Sequence, residues 1–575
     1  MRPSITRLLV ANRGESARRI FRTARQLGIA TVAVFTEADR DAPFATEADE
    51  AVALDRLSDR RSAAYLDAAA LVEAARRAGA DAVHPGSGLL AEDAGFAWRC
   101  AEVGLIYVGP SPEAIATLAS KLESRTLAAE AGVPVLSAEE VDGYPPGKLE
   151  AAADVLGWPV AVKASAGGGG RAVRVVHEGD DLAEAVETVR REATAAFGDG
   201  TVFFEPWLED ARHIDVQVFA DGSGRAVHLF ERDSSVAYGH RHSGGHPRAP
   251  GPVITEAPAP KLAQPLRELL VAAALAIAEA AGYVGAGTVE FLVSGEQLWF
   301  VEMNSRLDVE HPVTEAILGL DRVDMPLAVA EGRPLPVEAR HCSPSGHAIG
   351  VRLCASEPVD GFRPHPERLR RFEIDRPPGV RVETGLMSGS RVGDDPGLAT
   401  IVASAATRAD AVRRLVTALE SVRVHGPRTN RDMLIAALRH PEFGAGAVGA
   451  GFLDRHHDAL AAPRGGAAAL RLHAVAATLA GLTRPPAGSA TFTGPAGEWV
   501  EVAYRQDGSG TVTDVAVDGA PLPDLRLGGV TAEAVDLEVD GLRRRVAVAR
   551  EGDVVDCDSP LGHTELVLRK TCYEA

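Results

Sequence analysis

The sequence predicts a chain of α/β and α+β character that closes with a small β-barrel accompanied by a helix. Three observations predict it. The opening alternates apolar strand-like runs with helical periodicity. In the middle, a run of glycines lies between two strand-like runs. Residues 490–568 form short alternating runs broken by the turns Asp507-Gly508, Asp518-Gly519 and Asp540-Gly541.

Residues 5–11 read as a buried strand. Ala17, Ile20, Ala24 and Leu27 fall on one helical face, and Gly28 supplies a stop. Residues 29–35 form the next strand and complete a βαβ unit, so a parallel sheet covered by helices is expected. A second unit runs through a helix at 66–77 and the strand-like run that ends in His84-Pro85-Gly86. The runs 160–163 and 173–176 flank Gly167, Gly168, Gly169 and Gly170. That is the pattern of a β-hairpin flap rather than a strand-to-helix phosphate loop. Strands follow at 202–208, 213–219 and 226–231, then a helix at 262–281 and a hairpin at 288–304. Residues 456–466 read as an Ala/Pro/Gly-rich linker and 467–482 as one helix.

Composition excludes several classes of function. The 575 residues carry a net charge of −20 and a pI near 5.4, which argues against a nucleic-acid face. The most apolar run, 269–281, contains Glu279 and is too short to span a bilayer, so no membrane insertion is expected. Cys100, Cys342, Cys354, Cys557 and Cys572 show no CxxC spacing and read as reduced thiols of a cytoplasmic protein. The five lysines are Lys121, Lys148, Lys163, Lys261 and Lys570. Where lysine is this rare, each one merits inspection.

The hairpin carries the first chemistry. With its turn centred on Glu296, Glu290 lies opposite Glu302, with Leu292 on the face of Glu290 and Phe300 on the face of Glu302. Opposed carboxylates repel, and a divalent cation with oxygen ligands, of the Mg²⁺ type, turns that repulsion into a site. Asn304 points the same way. The glycine run lets backbone N–H groups approach phosphate oxygens, and Lys163 just before it adds a point charge. Together they describe a nucleotide site under a lid. Arg306 and Glu310 place a cation and a base near the same metal.

These segments resemble the biotin carboxylase family of ATP-grasp enzymes. The stretches that carry the resemblance include Leu9-Val-Ala-Asn-Arg-Gly-Glu15, His84-Pro-Gly86, Lys163-Ala-Ser165 with its glycines, Glu231-Arg-Asp233 and Glu256-Ala-Pro-Ala-Pro260. Gly285-Ala-Gly-Thr288, Glu302-Met-Asn304, Val309-Glu-His-Pro-Val-Thr-Glu315 and Arg428-Thr-Asn430 continue them in family order. The resemblance implies a three-subdomain ATP-grasp biotin carboxylase, followed by a helix and β-barrel similar to those that dock on a carboxyltransferase β subunit. The expected divisions are 1–120, 121–207 with the flap, 208–455, the linker 456–466, and 467–575.

By the same resemblance, Lys121 and Lys163 hold ATP phosphates and Gly169 and Gly170 cover them. Glu205, Pro206, Trp207 and Leu208 line the adenine pocket, and His213 and His240 contact the nucleotide. Glu290, Glu302 and Asn304 bind Mg²⁺ (or Mn²⁺). Glu310 deprotonates bicarbonate, which Arg306, the Val309 backbone and His242 hold, and Arg352 stabilises the biotin enolate. A homodimer is implied. No lysine is flanked by methionine, so the chain is expected to lack the biotin carrier domain and to work on a carrier protein in trans.

The sequence also departs from the family. The family's CSMQRRHQK becomes 234–242, with Ala237 for the glutamine and His242 for the bicarbonate-contacting lysine; a shifted alignment puts His246 and Arg248 there instead. A Gly/Pro-rich insertion follows at 243–252. Asp308 replaces the glutamine before the Val309-Glu-His-Pro run, Ser87 stands where a tyrosine is usual, and 394–400 replaces the family's YYDSMIGKL segment. In a strand-like stretch Arg306, Asp308 and Glu310 share one face. Pairing of Arg306 with Asp308 is then expected to weaken bicarbonate-dependent ATPase activity. Two alternatives follow from these departures: an ATP-grasp carboxylase or ligase with a non-biotin acceptor, and a non-catalytic scaffold.

Overall fold

A computed structural model describes residues 4–58, 61–167, 172–238, 251–335, 342–360, 362–393, 395–481, 487–522 and 524–573. Gly169, Gly170, His240, His242, His246 and Arg248 lie outside them.

The opening βαβ unit forms as the sequence predicts. Five parallel strands run in the order Glu50–Ala53, Ala30–Phe35, Arg7–Val10, Ala82–His84, Ile106–Tyr107. The helix Gly14–Gln26 buries Ala17, Ile20, Phe21 and Ala24 against them. Leu27, expected on that face, is its C-cap and is exposed; Phe21 takes the place instead. The helix Ala68–Arg77 starts two residues later than expected, because Asp67 caps it by accepting from the Ala70 N–H.

Two motif segments lock together at the end of this sheet. Asn12 donates through Nδ2 to the carbonyls of Pro85 (2.8 Å) and Ser87 (2.6 Å). Gly86 has φ +73, and a Cβ there would lie 2.5 Å from Asn12. Only glycine fits this close approach without strain.

The central layer is an eight-stranded antiparallel sheet. Its order is Gln297–Asn304, Gly285–Ser294, Arg212–Ala220, Ala226–Ala237, Pro252–Ala257, His347–Cys354, Gly397–Ala405, Val380–Glu383. The helix Gln264–Ala280 covers one face with Leu266, Leu270, Ala274 and Ile277. The flap belongs to a separate four-stranded sheet, where Val160–Ala164 pairs antiparallel with Val173–Val176 and with Val202–Pro206. The helix Lys121–Glu130 packs on Gln297–Asn304, the edge strand of the central sheet.

The expected linker is partly ordered. It contains the short helix His457–Ala461, whose Leu460 is buried in the core around strand His347–Cys354. Beyond it, a nine-stranded antiparallel sheet curls around the helix Gly466–Leu479. Val475, Ala476, Ala477 and Leu479 are fully buried there. Strand alternation supplies the wall: Val500, Val502 and Tyr504 point inward while Trp499, Glu501, Ala503 and Arg505 stay out. Leu479→Ala should cost about 2–5 kcal/mol of stability, as expected for a fully buried leucine. Urea denaturation of the full chain would show it as a lower midpoint. Among the described residues, no helix is long and apolar enough to cross a membrane.

Candidate active site

The carboxylate hairpin has the expected partners but a different register. Ser294 pairs with Gln297 across a two-residue turn, Gly295-Glu296, and Phe291 pairs with Phe300. That register would set Glu290 opposite Val301. A β-bulge between Glu290 and Phe291 on one strand absorbs Val301 on the other, so Glu290 faces Glu302 and Thr288 faces Asn304. The bulge also corrects the expected faces. Phe300 turns into the core with Phe291, Leu298 and Met303, whereas Glu302 turns to the site.

Around this pair the polar groups are dense. Asn304 Nδ2 donates to Glu290. His213 reaches Glu290 with Nε2 (3.3 Å) and Asp215 with Nδ1 (3.2 Å). Lys121 pairs with Glu302 (2.9 Å) and also donates to the carbonyl of Gly167 at the base of the flap. Lys163 pairs with Glu205, which Arg125 also holds (3.0 Å). Burial and the facing Glu302 push the Glu290 carboxyl well up. Burial works against Glu302 too, but Lys121, Lys163 and Arg306 hold it low. Burial alone would lower His213, yet Asp215 and Glu290 hold it up, to about 9. The repulsion that raises Glu290 opposite Glu302 is what a divalent ion with oxygen ligands would relieve.

The expected anion site is occupied by the protein's own charges. Residues 305–311 form an irregular loop, not the strand-like stretch expected. Arg306 and Asp308 do pair, as expected. Arg306 also donates to Glu92 (2.6 Å) and to Asn304 Oδ1 (3.0 Å). Asp308 is buried and takes a second arginine, Arg232 (2.9 Å). Arg232 in turn bonds Asp215 (3.0 Å), Gln217 (3.2 Å) and Thr288 (3.2 Å), and His311 Nδ1 meets Gln217 at 2.7 Å.

Glu310 lines a recess together with Val309, Val313, Arg352 and Thr400. Burial and Asp308 raise its carboxyl, against the pull of Arg352 and Arg232. That is the direction a general base needs, since it brings the base closer to working pH. Arg352 is fixed from behind. Asn430 is fully buried, donates to the Arg352 carbonyl (3.0 Å) and to Tyr238 Oη (2.8 Å), and accepts from the Cys354 N–H (2.9 Å).

Sequence reasoning assigned no role to several of these residues. Glu15, Arg232 and Asn430 lie in stretches that carried the family resemblance, so a signal existed. Glu92 and Arg125 had none, because each reaches the site only through tertiary contact. Glu15 accepts from Thr400 Oγ1 (3.3 Å) and lines an adjoining recess with Val309 and Thr400. Burial raises it to about 7, with Glu383 and Asp395 adding to the shift and Arg352 opposing it. A carboxyl raised on folding contributes stability in full below its unfolded pKa and loses it as pH climbs to the folded value. Stability should therefore fall between about pH 4.5 and 7 through this group. Glu15→Gln, which cannot ionise, should flatten that slope in denaturation midpoints measured across the window.

Comparison with known proteins bears on these residues. Residues 4–115 match the model of the biotin carboxylase N-terminal domain, 120–338 that of the carbamoyl-phosphate synthase L chain ATP-binding domain, and 350–455 that of the biotin carboxylase C-terminal domain. The chain is 41% identical over 453 residues to the biotin carboxylase of Halalkalibacterium halodurans, covering 78% of this chain and 97% of that one. It is 41% identical over 464 residues to the mitochondrial methylcrotonoyl-CoA carboxylase subunit alpha of Dictyostelium discoideum. That match covers 80% of this chain but only 65% of the relative's length. Among solved structures, the biotin carboxylase domain dimer of Hydrogenobacter thermophilus 2-oxoglutarate carboxylase, in complex with MgADP, ADP and bicarbonate, superposes with a TM-score of 0.74 at 33% identity. It covers 80% of this chain and 99% of its own. With matches that run from residue 4 to residue 455, the chain belongs to the biotin carboxylase family of ATP-grasp proteins.

Proposed function

We propose that the chain is the biotin carboxylase subunit of an acyl-CoA carboxylase, using MgATP and bicarbonate to carboxylate biotin on a carrier protein in trans. One observation carries this reading. A carboxylate pair flanked by Lys121 adjoins, through Asn304 and Arg306, the irregular loop that presents the raised carboxyl of Glu310 beside Arg352.

In this reading Lys121 and Lys163 release Glu302 and Glu205 to hold the ATP phosphates, and Gly169 and Gly170 cover them. Glu205, Pro206, Trp207 and Leu208 line the adenine, and His213 and His240 contact the nucleotide. Glu290, Glu302 and Asn304 hold Mg²⁺ or Mn²⁺, whose charge offsets that of the phosphate oxygens during transfer. Arg306, the Val309 backbone and His242 (or His246 and Arg248) hold bicarbonate. Glu310 takes its proton. The bicarbonate oxygen then attacks the γ-phosphorus, the bond to ADP breaks and carboxyphosphate forms. Arg352 faces the negative charge that develops on the biotin ring. The chain divides at about 120, 207 and 455, the C-terminal sheet receives a carboxyltransferase β subunit, and the carboxylase part dimerises.

One observation favours a second reading. Arg306 is already taken by Glu92 and Asp308, as fits an altered acceptor or a scaffold. ATP hydrolysis measured with and without bicarbonate, and with and without biotinylated carrier, separates the three. Dependence on both supports the carboxylase, dependence on bicarbonate alone a different acceptor, and ATP binding without turnover a scaffold. Lys163→Ala should weaken ATP binding about ten- to a hundredfold by calorimetry, the value of a charge-assisted contact. Equal affinity would remove Lys163 from the phosphate site.

A further inference from the structure

The carboxylase core and the C-terminal sheet meet through a compact histidine–aspartate cluster. His425 ends the strand Arg423–His425 of the core. Asp556 and Asp558 lie on the strand Val554–Ser559 of the C-terminal sheet, and His563 on Gly562–Tyr573. His425, Asp556 and Asp558 are each only 2% exposed.

The two imidazoles stack with centroids 5.3 Å apart and planes 18° apart. Each uses one ring nitrogen on Asp558: His425 Nε2 at 2.8 Å and His563 Nδ1 at 3.2 Å. A carboxylate oxygen accepts, so in these contacts the two ring nitrogens are the donors. The opposite nitrogens, His425 Nδ1 and His563 Nε2, face Asp556.

Those nitrogens lie 3.8 Å and 3.4 Å from the Asp556 oxygens. Both distances are too long for a good hydrogen bond. They are near the edge of a tetrahedron with metal–ligand bonds of about 2.0–2.1 Å, which is roughly 3.3 Å. All three ligand atoms fall within 4.8 Å of one another. A carboxylate that holds the far nitrogen of a ligating histidine is the usual outer partner of zinc sites.

Charge agrees with the geometry. Asp556, Asp558, Glu565 and Glu367 face Arg370 and Arg423. Carboxylates thus outnumber guanidinium groups around the two imidazoles, a surplus of the sign that a divalent cation offsets. Arg370 donates to both oxygens of Asp556 (3.2 and 3.0 Å), and a carboxylate has lone pairs enough for an arginine and a metal together.

We propose that His425, Asp556 and His563 form a zinc site, with Asp558 as its shared outer carboxylate, that staples the C-terminal sheet to the carboxylase core. A water completes four-coordination. The test uses the full chain, stripped with a chelator and dialysed against Zn²⁺ or Co²⁺. One equivalent of zinc should remain, cobalt should give the strong visible bands of a four-coordinate ion, and zinc should raise the melting temperature of the stripped protein.

His563→Gln, at the most exposed of the three ligands, should lower zinc affinity at least tenfold and abolish the thermal shift. Asp558→Asn should weaken binding about 10–100-fold, as outer-partner changes do. His456→Gln, in a second histidine–carboxylate cluster with His440 and Glu442, should leave the stoichiometry unchanged. A wild-type chain that retains no zinc, or a folded His563→Gln chain that binds as tightly as wild type, overturns the proposal.

Discussion

Glu310→Gln should lower bicarbonate-dependent ATP hydrolysis about 10²- to 10⁴-fold, the range for loss of a positioned general base. The amide keeps the size of the side chain and much of its packing in the recess, but cannot accept the proton. ATP affinity should stay near that of wild type, because among the described residues Glu310 makes no hydrogen bond or ion pair with Lys121, Lys163 or the carboxylate hairpin. The two quantities are read from steady-state phosphate release and from calorimetry with a non-hydrolysable ATP analogue. Unchanged turnover would place the base elsewhere, and Glu15, in the adjoining recess, would be the next residue to replace.

Asp308→Gln should act on stability and on bicarbonate in opposite senses. From sequence alone, Asp308 is a repulsive neighbour of the anion, and the amide should improve activity. The structure adds a second role, since the same carboxylate is buried against Arg232. Removing one partner of a buried pair costs about 3–5 kcal/mol. Because Arg232 keeps Asp215, the lower end is expected. The same change frees Arg306 from one of its two carboxylates, so the apparent affinity for bicarbonate should rise. A denaturation midpoint and a bicarbonate titration on the same preparation check both. An undiminished midpoint would mean that Arg232 does not depend on Asp308. An unimproved bicarbonate affinity would mean that Glu92 alone suffices to neutralise Arg306.

The parts of the fold legible in the sequence are those set by local periodicity. Alternation marks the hairpin, the 3.6-residue spacing marks the helix after the first strand, and glycines between strand-like runs mark the flap. Parity beyond a bulge is not legible. Leu298, Phe300, Val301 and Met303 are all apolar, so the pattern alone cannot say which of them the bulge displaces. The site shows the same division. Glu290, Glu302, Asn304 and Glu310 are close in sequence to one another or to a clear turn. Glu92 and Arg125 enter from other segments, and their chemistry appears only once the sheets are assembled. The short helix His457–Ala461 escapes a compositional reading because one buried leucine, Leu460, is enough to order a run of small residues.

The helix at the centre of the C-terminal sheet has a consequence for synthesis. Gly466–Leu479 precedes in the chain all nine strands that enclose it. It leaves the ribosome with Leu472, Val475 and Leu479 and nothing yet made to cover them. The strands span roughly 90 residues, which at about 5–20 residues per second take several seconds or more to emerge. Throughout that interval the nascent helix is a target for chaperones. Fusions or truncations that separate it from its strands should precipitate, whereas cuts on its N-terminal side keep helix and wall together.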